Sequence, residues 1–190
     1  MPLNIAQAVC DEAHKLGLRT SAHIESTEGV EVGLKAGVDT IEHGAPLTDE
    51  LLKLFKKNGL GNASSLTCTL SPALPFAVLS PEKTHSTHVQ KVNGRVVYEG
   101  VATATRQALA NGIPVGLGTD SACPFVTHYD MWREVVYFQR HTGVTPEFAL
   151  HTATLKNAQL LGVANETGSI ETGKSADLIV LDVNPLDDLC

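Results

Sequence analysis

Gly37-Val38-Asp39-Thr40-Ile41-Glu42-His43-Gly44 is the stretch that decides the fold. Val38 to His43 reads as a short strand, stopped by Gly44, with a histidine as its last residue. Just before it, Val30, Val32, Leu34 and Ala36 outline a short helix that Gly37 can close. The same unit recurs upstream. Residues 3–16 carry Ile5, Ala8, Val9, Ala13 and Leu16 at three- and four-residue steps, the mark of a helix, ended by Gly17. Leu18 to His23 is then a strand, again ending on a histidine. Downstream, Thr48 suits a helix cap, with Asp49 and Glu50 at the positive end of the dipole. Leu51, Leu52, Leu54 and Phe55 form the apolar stripe, Lys53, Lys56 and Lys57 a solvated face, and Asn58-Gly59 a stop. A third strand lies within Leu60 to Leu70. Short strands alternating with helices predict an α/β fold built on a mostly parallel sheet or barrel.

Beyond Leu70 the pattern loosens. Pro72, Pro75, Pro81 and Asn93-Gly94 interrupt residues 71–98, which read as a long irregular segment: a surface excursion, or a loop that closes over a pocket. Val101 to Asn111 is the next predicted helix, ended by Gly112. Ile113 to Asp120 is a fourth strand, with Pro114 near its start, where proline is tolerated. Tyr129 to Arg140 predicts a helix in which Trp132, Val135, Val136 and Phe138 pack while Arg133 and Glu134 face out. Thr145-Pro146-Glu147 starts another, and Lys156 to Leu161 makes a further short turn. Leu178-Ile179-Val180-Leu181, within Ala176 to Asp182, reads as a strand outside the main sheet.

Bulk properties narrow the function classes. The chain has 190 residues, 43% of them apolar and 18% charged, which suits a folded domain rather than a disordered one. The formal net charge of -7, without a basic patch, argues against nucleic acid or an anionic membrane as partner. No apolar run approaches the roughly 18 residues a membrane span requires. Cys10, Cys68, Cys123 and Cys190 are widely spread and form no CxxC pair, so free thiols in a reducing compartment are expected. The start shows no basic region followed by an apolar run, which points to the cytoplasm, although any leader would be lost if an amino-terminal half were absent.

Three polar residues share one kind of position. His23, His43 and Asp120 each end a predicted strand, and ligand sites of parallel α/β folds lie at the carboxyl ends of the strands. Imidazoles and a carboxylate are the usual ligands of a hydrolytic zinc, on which water ionises near neutral pH. Taken singly, each has an ordinary reading: a hydrogen-bonded loop histidine, or an aspartate capping the next turn. Gly168-Ser169-Ile170-Glu171-Thr172-Gly173-Lys174-Ser175 matches GxxxxGK[ST], but it precedes a strand instead of opening a helix, so it is not a phosphate loop. Ser64 and Ser65 lack a nucleophile elbow. Cys68 and Cys123 could be nucleophiles or ordinary core residues. His85 and His88 stand three apart in the irregular segment and could approach a site or simply lie on the surface. His151 reads as a structural helix residue.

Thr20-Ser21-Ala22-His23, the Gly37 to Gly44 stretch and Gly116-Leu117-Gly118-Thr119-Asp120 together resemble the amidohydrolase superfamily, especially its imidazolonepropionase/prolidase-like branch. Thr152-Ala153-Thr154, Asn157-Ala158, Leu161-Gly162, the Gly168 to Leu178 segment and Asn184-Pro185-Leu186 resemble that branch's ending. The resemblance implies the C-terminal half of a (β/α)8 barrel, strands 5 to 8, over residues 1–165, and over 166–190 a segment of the small β-sandwich beside it. It implies one or two divalent metals, usually zinc. His23 and His43 would bind one metal; Asp120 would bind the other and carry the proton of the attacking water. Tyr98, His85 and His88 are candidate contacts for a small-molecule or dipeptide-like substrate. The implied reaction is hydrolysis of a C–N bond in an amide, dipeptide or cyclic amide, with lactonase or phosphotriesterase activity and a catalytically inactive association subunit as alternatives. The family's paired histidines of strand 1 and its strand 4 ligand, commonly a carboxylated lysine, have no counterpart here. A half barrel leaves open sheet edges. The other half is therefore expected from another chain, from a longer parent protein or from a second copy.

Overall fold

The computed structural model describes residues 1–55, 64–187 and 189. The expected features at Lys56, Lys57, Asn58-Gly59, the start of the third strand and Cys190 lie outside the described residues. Four parallel strands, β1 (Ser21–Ile24), β2 (Thr40–His43), β3 (Ser65–Cys68) and β4 (Val115–Leu117), pair in sequence order. Ala22 lies opposite Ile41, Ile41 opposite Leu66, and Leu66 opposite Val115. Sequential parallel pairing with intervening helices is an α/β fold consistent with half of a TIM-barrel-like amidohydrolase fold.

The local causes are legible residue by residue. Helix α1 spans Leu3–Lys15 and α2 spans Thr27–Ala36. The Ser26 side chain accepts from Gly29 N at 3.0 Å to open α2, and Gly37 closes it at φ 93°, a left-handed conformation that favours glycine. Val30 and Leu34 on α2 are fully buried with Ile41. Gly33 allows this close packing, since a Cβ there would stand 2.7 Å from Ile24 Cδ1. Helix α3 (Asp49–Phe55) is opened by Thr48, whose hydroxyl accepts from Leu51 N, and buries Leu51 and Phe55. Asp39 ties the sheet's amino end together: one carboxylate oxygen accepts from Thr20 N and pairs with His14 Nε2, both at 2.8 Å.

Residues 71–98 correct the expectation of an irregular segment. They form α4 (Leu74–Val78), α5 (Pro81–Thr84) and the first half of α6, a 23-residue helix from His88 to Ala110. Pro75 and Pro81 sit in first turns, where a missing N–H costs little. Thr87 and Gln90 cap α6 reciprocally. Asn93-Gly94 is not a break but helix interior, because Gly94 leaves room for Phe76: a Cβ there would meet Phe76 Cβ at 2.4 Å.

Helix α7 (Met131–Thr142) buries Val135, Val136 and Phe138 as expected. Two of its residues reverse the expectation. Trp132 is exposed, with Arg133 over its ring, and Glu134 is fully buried. A π turn (Thr152–Lys156) links α8 (Pro146–His151) to α9 (Asn157–Leu161). Asn157 covers the free edge of β4: its Oδ1 accepts from Leu117 N and its Nδ2 donates to Leu117 O, both at 2.9 Å. The tail departs from expectation too. Residues 176–182 form no strand, and Ile179 and Val180 are 84% and 99% exposed. A strand needs a neighbour for its backbone groups, and none of the described residues supplies one.

Candidate functional site

His23 lies in β1 and faces the open side of the sheet, while Ala22 and Ile24 lean towards the helices. His43 ends β2. Strict alternation would put it on the helix side with Ile41. Instead its backbone turns left-handed, φ 66°, and Gly44 N bonds back to Glu42 O at 2.8 Å. This tight turn brings the His43 ring to the open side, where it meets the His23 ring edge to face, centroids 4.8 Å apart. Gly44 follows at φ 83° and packs on Leu66, where a Cβ would stand 2.7 Å from Leu66 Cδ1. Asp120 follows β4 in a loop with positive φ at Asp120, Ala122 and Phe125. Such conformations cost roughly 1–3 kcal/mol each in residues other than glycine, and they collect at functional sites.

His23, His43 and Asp120 line one recess of about 290 Å³ at the carboxyl ends of the strands. Glu25, Thr69 and Cys123 share its polar side; Phe76, Val97 and Pro124 share its apolar side. His43 is buried, whereas His23 and Asp120 are exposed. Burial, and then the neighbouring His23, hold the His43 imidazole below the usual histidine range against the opposing pull of Asp120, Glu25 and Glu42. His43 is therefore neutral at neutral pH, with a nitrogen lone pair to offer. Among the described residues no hydrogen bond is made to either imidazole. Asp120 Oδ2 accepts from Cys123 Sγ at 3.2 Å.

The donor set is incomplete. The imidazole pair fits part of a zinc-type set, yet among the described residues no group of three or more His, Cys, Asp or Glu lies close enough together to hold a metal ion. Cys68 and Cys123 do not offer a nucleophile in its active form. Cys68 is fully buried, and burial followed by Glu134 pushes its thiol up; burial and Asp120 do the same at Cys123.

The substrate-contact candidates lie elsewhere. Tyr98, on α6, is half-buried and hydrogen-bonded to His141 Nδ1 at 2.8 Å. His85 closes α5 and His88 begins α6; both are exposed. None of the three lines the recess, which takes Gln90, Asn93 and Val97 from the same helical region.

Glu134, like Trp132, is placed otherwise than its sequence position suggests. Its carboxylate accepts from Leu70 N at 2.7 Å and from Ser71 N at 2.9 Å, and Ser71 Oγ donates at 2.5 Å. It thereby pins the chain leaving β3, the stretch that presents Thr69, Pro72 and Ala73 to the recess. Burial outweighs these bonds and raises the carboxyl to about 7. Its spacing was the available signal: four residues before Phe138 and three after Met131, it shares their stripe.

The profile of the amidohydrolase family matches residues 3–189. A solved structure from Bifidobacterium longum, provisionally named a prolidase, is 47% identical with a TM-score of 0.95, covering 100% of this chain and 47% of that one. A Xaa-Pro dipeptidase with bound methionine is 29% identical with a TM-score of 0.83, covering 100% of this chain and 45% of its own. The ochratoxinase of Aspergillus niger is 27% identical over 184 residues, 96% of this chain and 36% of that protein. An uncharacterised Mycobacterium tuberculosis protein is 30% identical over 186 residues, 96% of this chain and 46% of that protein. The chain thus spans less than half the length of the relatives it matches. No helix among the described residues is long and apolar enough to cross a membrane.

Proposed function

The chain belongs to the amidohydrolase family, and from that premise we propose that it forms the C-terminal part of a metal-dependent hydrolase that cleaves a C–N bond in an amide, dipeptide or cyclic amide. The observation that carries the reading is the convergence of His23, His43 and Asp120 on one recess at the strand ends. In the complete barrel β1 to β4 take the places of strands 5 to 8, and residues 166–190 join a small β domain beside it. The relatives named as a prolidase and a Xaa-Pro dipeptidase support the choice of bond.

His23 and His43 would hold a divalent metal, zinc by donor chemistry, together with ligands from outside this chain. When bound, the metal supplies Lewis-acid polarisation of the scissile carbonyl and lowers the pKa of water. The chain's own residues do the rest. Neutral His43, fixed by its left-handed turn, keeps its donor nitrogen free of protons. Asp120, at the mouth of the recess, accepts the proton of the attacking water and hands it to the leaving nitrogen. Pro72, Phe76 and Pro124 limit water around the substrate.

That no third donor lies close by among the described residues favours one other reading, a non-catalytic association component. One experiment separates the two. The chain is refolded alone, and also together with an amino-terminal half barrel taken from the Bifidobacterium longum relative. Each preparation is assayed for bound zinc and for hydrolysis of dipeptides, N-acyl amino acids, lactones and phosphotriesters. Zinc with dipeptide or N-acyl amino acid turnover in the joined barrel is expected. A folded, joined barrel without zinc or C–N hydrolysis would sink the hydrolytic reading, and faster lactone or phosphotriester turnover would redirect it.

A further inference from the structure

The recess brings His23, His43 and Asp120 together with the apolar side chains of Pro72, Phe76, Val97 and Pro124; the amides of Gln90 and Asn93 also line it, and no lysine or arginine is among its described lining. Phe76, on the short helix α4, is the aromatic ring of this lining, and two contacts fix it. Beneath it, α6 has a glycine where a Cβ would stand 2.4 Å from Phe76 Cβ, so the ring's stem sits in a notch of that helix. Beside it, Phe125 packs edge to face, centroids 5.6 Å apart at 73°. Phe125 belongs to the strained loop that also carries Asp120. Upstream, Glu134 clamps Leu70 and Ser71, from which α4 is launched.

A glycine inside a long helix is less favourable than alanine, and an exposed Phe125 at φ 69° adds backbone strain. Packing needs alone do not call for this expense, because Phe76 remains half-buried with the recess in front of it. An aromatic ring held rigidly at the edge of a polar centre is how a pocket selects by shape and polarity.

We propose that Phe76 is a specificity-determining residue, which selects substrates carrying an uncharged, apolar, ring-sized group and seats that group between Pro72 and Pro124. The inference rests on the proposed hydrolysis only for the statement that this group is attached to an amide. A ring-sized apolar group desolvates against Phe76 and the prolines, whereas a polar group of equal size loses water there without a matching partner. Gly94, itself in the recess lining, also sets the position of Phe76.

The test uses the joined barrel and two probes of equal size: cyclohexanecarboxamide and its ring-oxygen counterpart tetrahydropyran-4-carboxamide. Affinities are measured by calorimetry, and kcat/KM is measured for the corresponding N-acyl glycines. The unaltered protein is expected to favour the cyclohexyl compound about tenfold. Phe76→Ala brings the ratio close to one, Phe76→Leu keeps part of it, and Gly94→Ala, which displaces Phe76, lowers it. For the acyl glycines the change falls on KM more than on kcat. A ratio near one in the unaltered protein overturns the proposal, as does an unchanged ratio in folded Phe76→Ala or, should that variant not fold, in Phe76→Leu and Gly94→Ala. If no amide is hydrolysed but the carboxamide preference persists and follows Phe76, the hydrolytic reading fails and this inference stands.

Discussion

The rings of His23 and His43 meet edge to face at 4.8 Å although the strand register sets His23 opposite Glu42, and Ile24 opposite His43. The left-handed turn at His43 produces the meeting, by carrying an imidazole across the sheet from the side its neighbours dictate. The pair is held by backbone geometry, not by hydrogen bonds.

Variants of the two histidines and of Asp120 should therefore fail differently. In the joined barrel, His23→Ala and His43→Ala are expected to lose bound zinc, and with it hydrolysis. Asp120→Asn is expected to retain a folded barrel while turnover falls about 10²- to 10⁴-fold, the usual worth of a proton carrier. Metal content and kcat measured on the same samples check this. Equal activity in Asp120→Asn and the unaltered protein would remove Asp120 from the reaction.

Glu134 predicts a pH dependence of stability. Burial raises its carboxyl from the usual 4.5 to about 7 in the folded chain. Between those values the folded state holds a proton that the unfolded state has released, so the contribution is fully present below about 4.5 and is lost as pH rises through about 7. The loss is on the order of 3 kcal/mol by pH 8. Urea unfolding at pH 5 and pH 8 should show it in the unaltered chain, and Glu134→Gln should flatten the difference. Glu134→Ala leaves the buried N–H groups of Leu70 and Ser71 unpaired and should destabilise at both pH values. A profile for Glu134→Gln parallel to that of the unaltered chain would refute the assignment.

Glu134 also shows where sequence reasoning reaches its limit. The strands that carry His23 and His43, the helices between them, the cap at Thr48 and the helix start at Thr145-Pro146 were legible because their causes lie within a few residues. The buried state of Glu134 was not, because its partners, Leu70 and Ser71, are more than sixty residues away. Asn93-Gly94 misled for the same reason: the local code of that pair is a turn, and only Phe76, on another helix, explains a glycine inside α6. That His23, His43 and Asp120 share one recess was legible from their positions at or after strand ends, since parallel folds place ligands there. Its apolar wall was hidden in a segment that proline and glycine made look irregular, and Tyr98 was drawn instead to His141.

Asn157 predicts a stability effect far from the recess. Its amide pairs with both backbone groups of Leu117, standing in for a neighbouring strand at the edge of β4. Asn157→Ala leaves a donor and an acceptor of that edge without partners and should cost about 2–3 kcal/mol. Asn157→Asp keeps the acceptor for Leu117 N but sets a carboxylate oxygen against Leu117 O, and should cost at least as much near neutral pH. Denaturant midpoints at unchanged m-values check this. A cost below about 0.5 kcal/mol for Asn157→Ala would mean that water satisfies the edge equally well.

The opposite edge of the sheet predicts association. Beyond β1 lies a cleft of about 610 Å³ lined by Met1, Ala6 and Val9 of the α1 region together with β1 itself. Ile5, Val9, Leu16 and Leu18 are between 50% and 68% exposed. An unpaired strand beside a run of exposed aliphatic residues is a surface that seeks a partner. The isolated chain should therefore sediment as dimers or larger species at micromolar concentration. Val9→Glu, which sets a charge in the cleft, should shift it towards monomer with little change in unfolding midpoint, because Val9 is 56% exposed. Addition of the amino-terminal half barrel should compete with self-association, since both need the same edge. A chain that sediments as a monomer and stays one with the half barrel present would mean that this edge is already satisfied, and would remove the physical ground for a divided barrel.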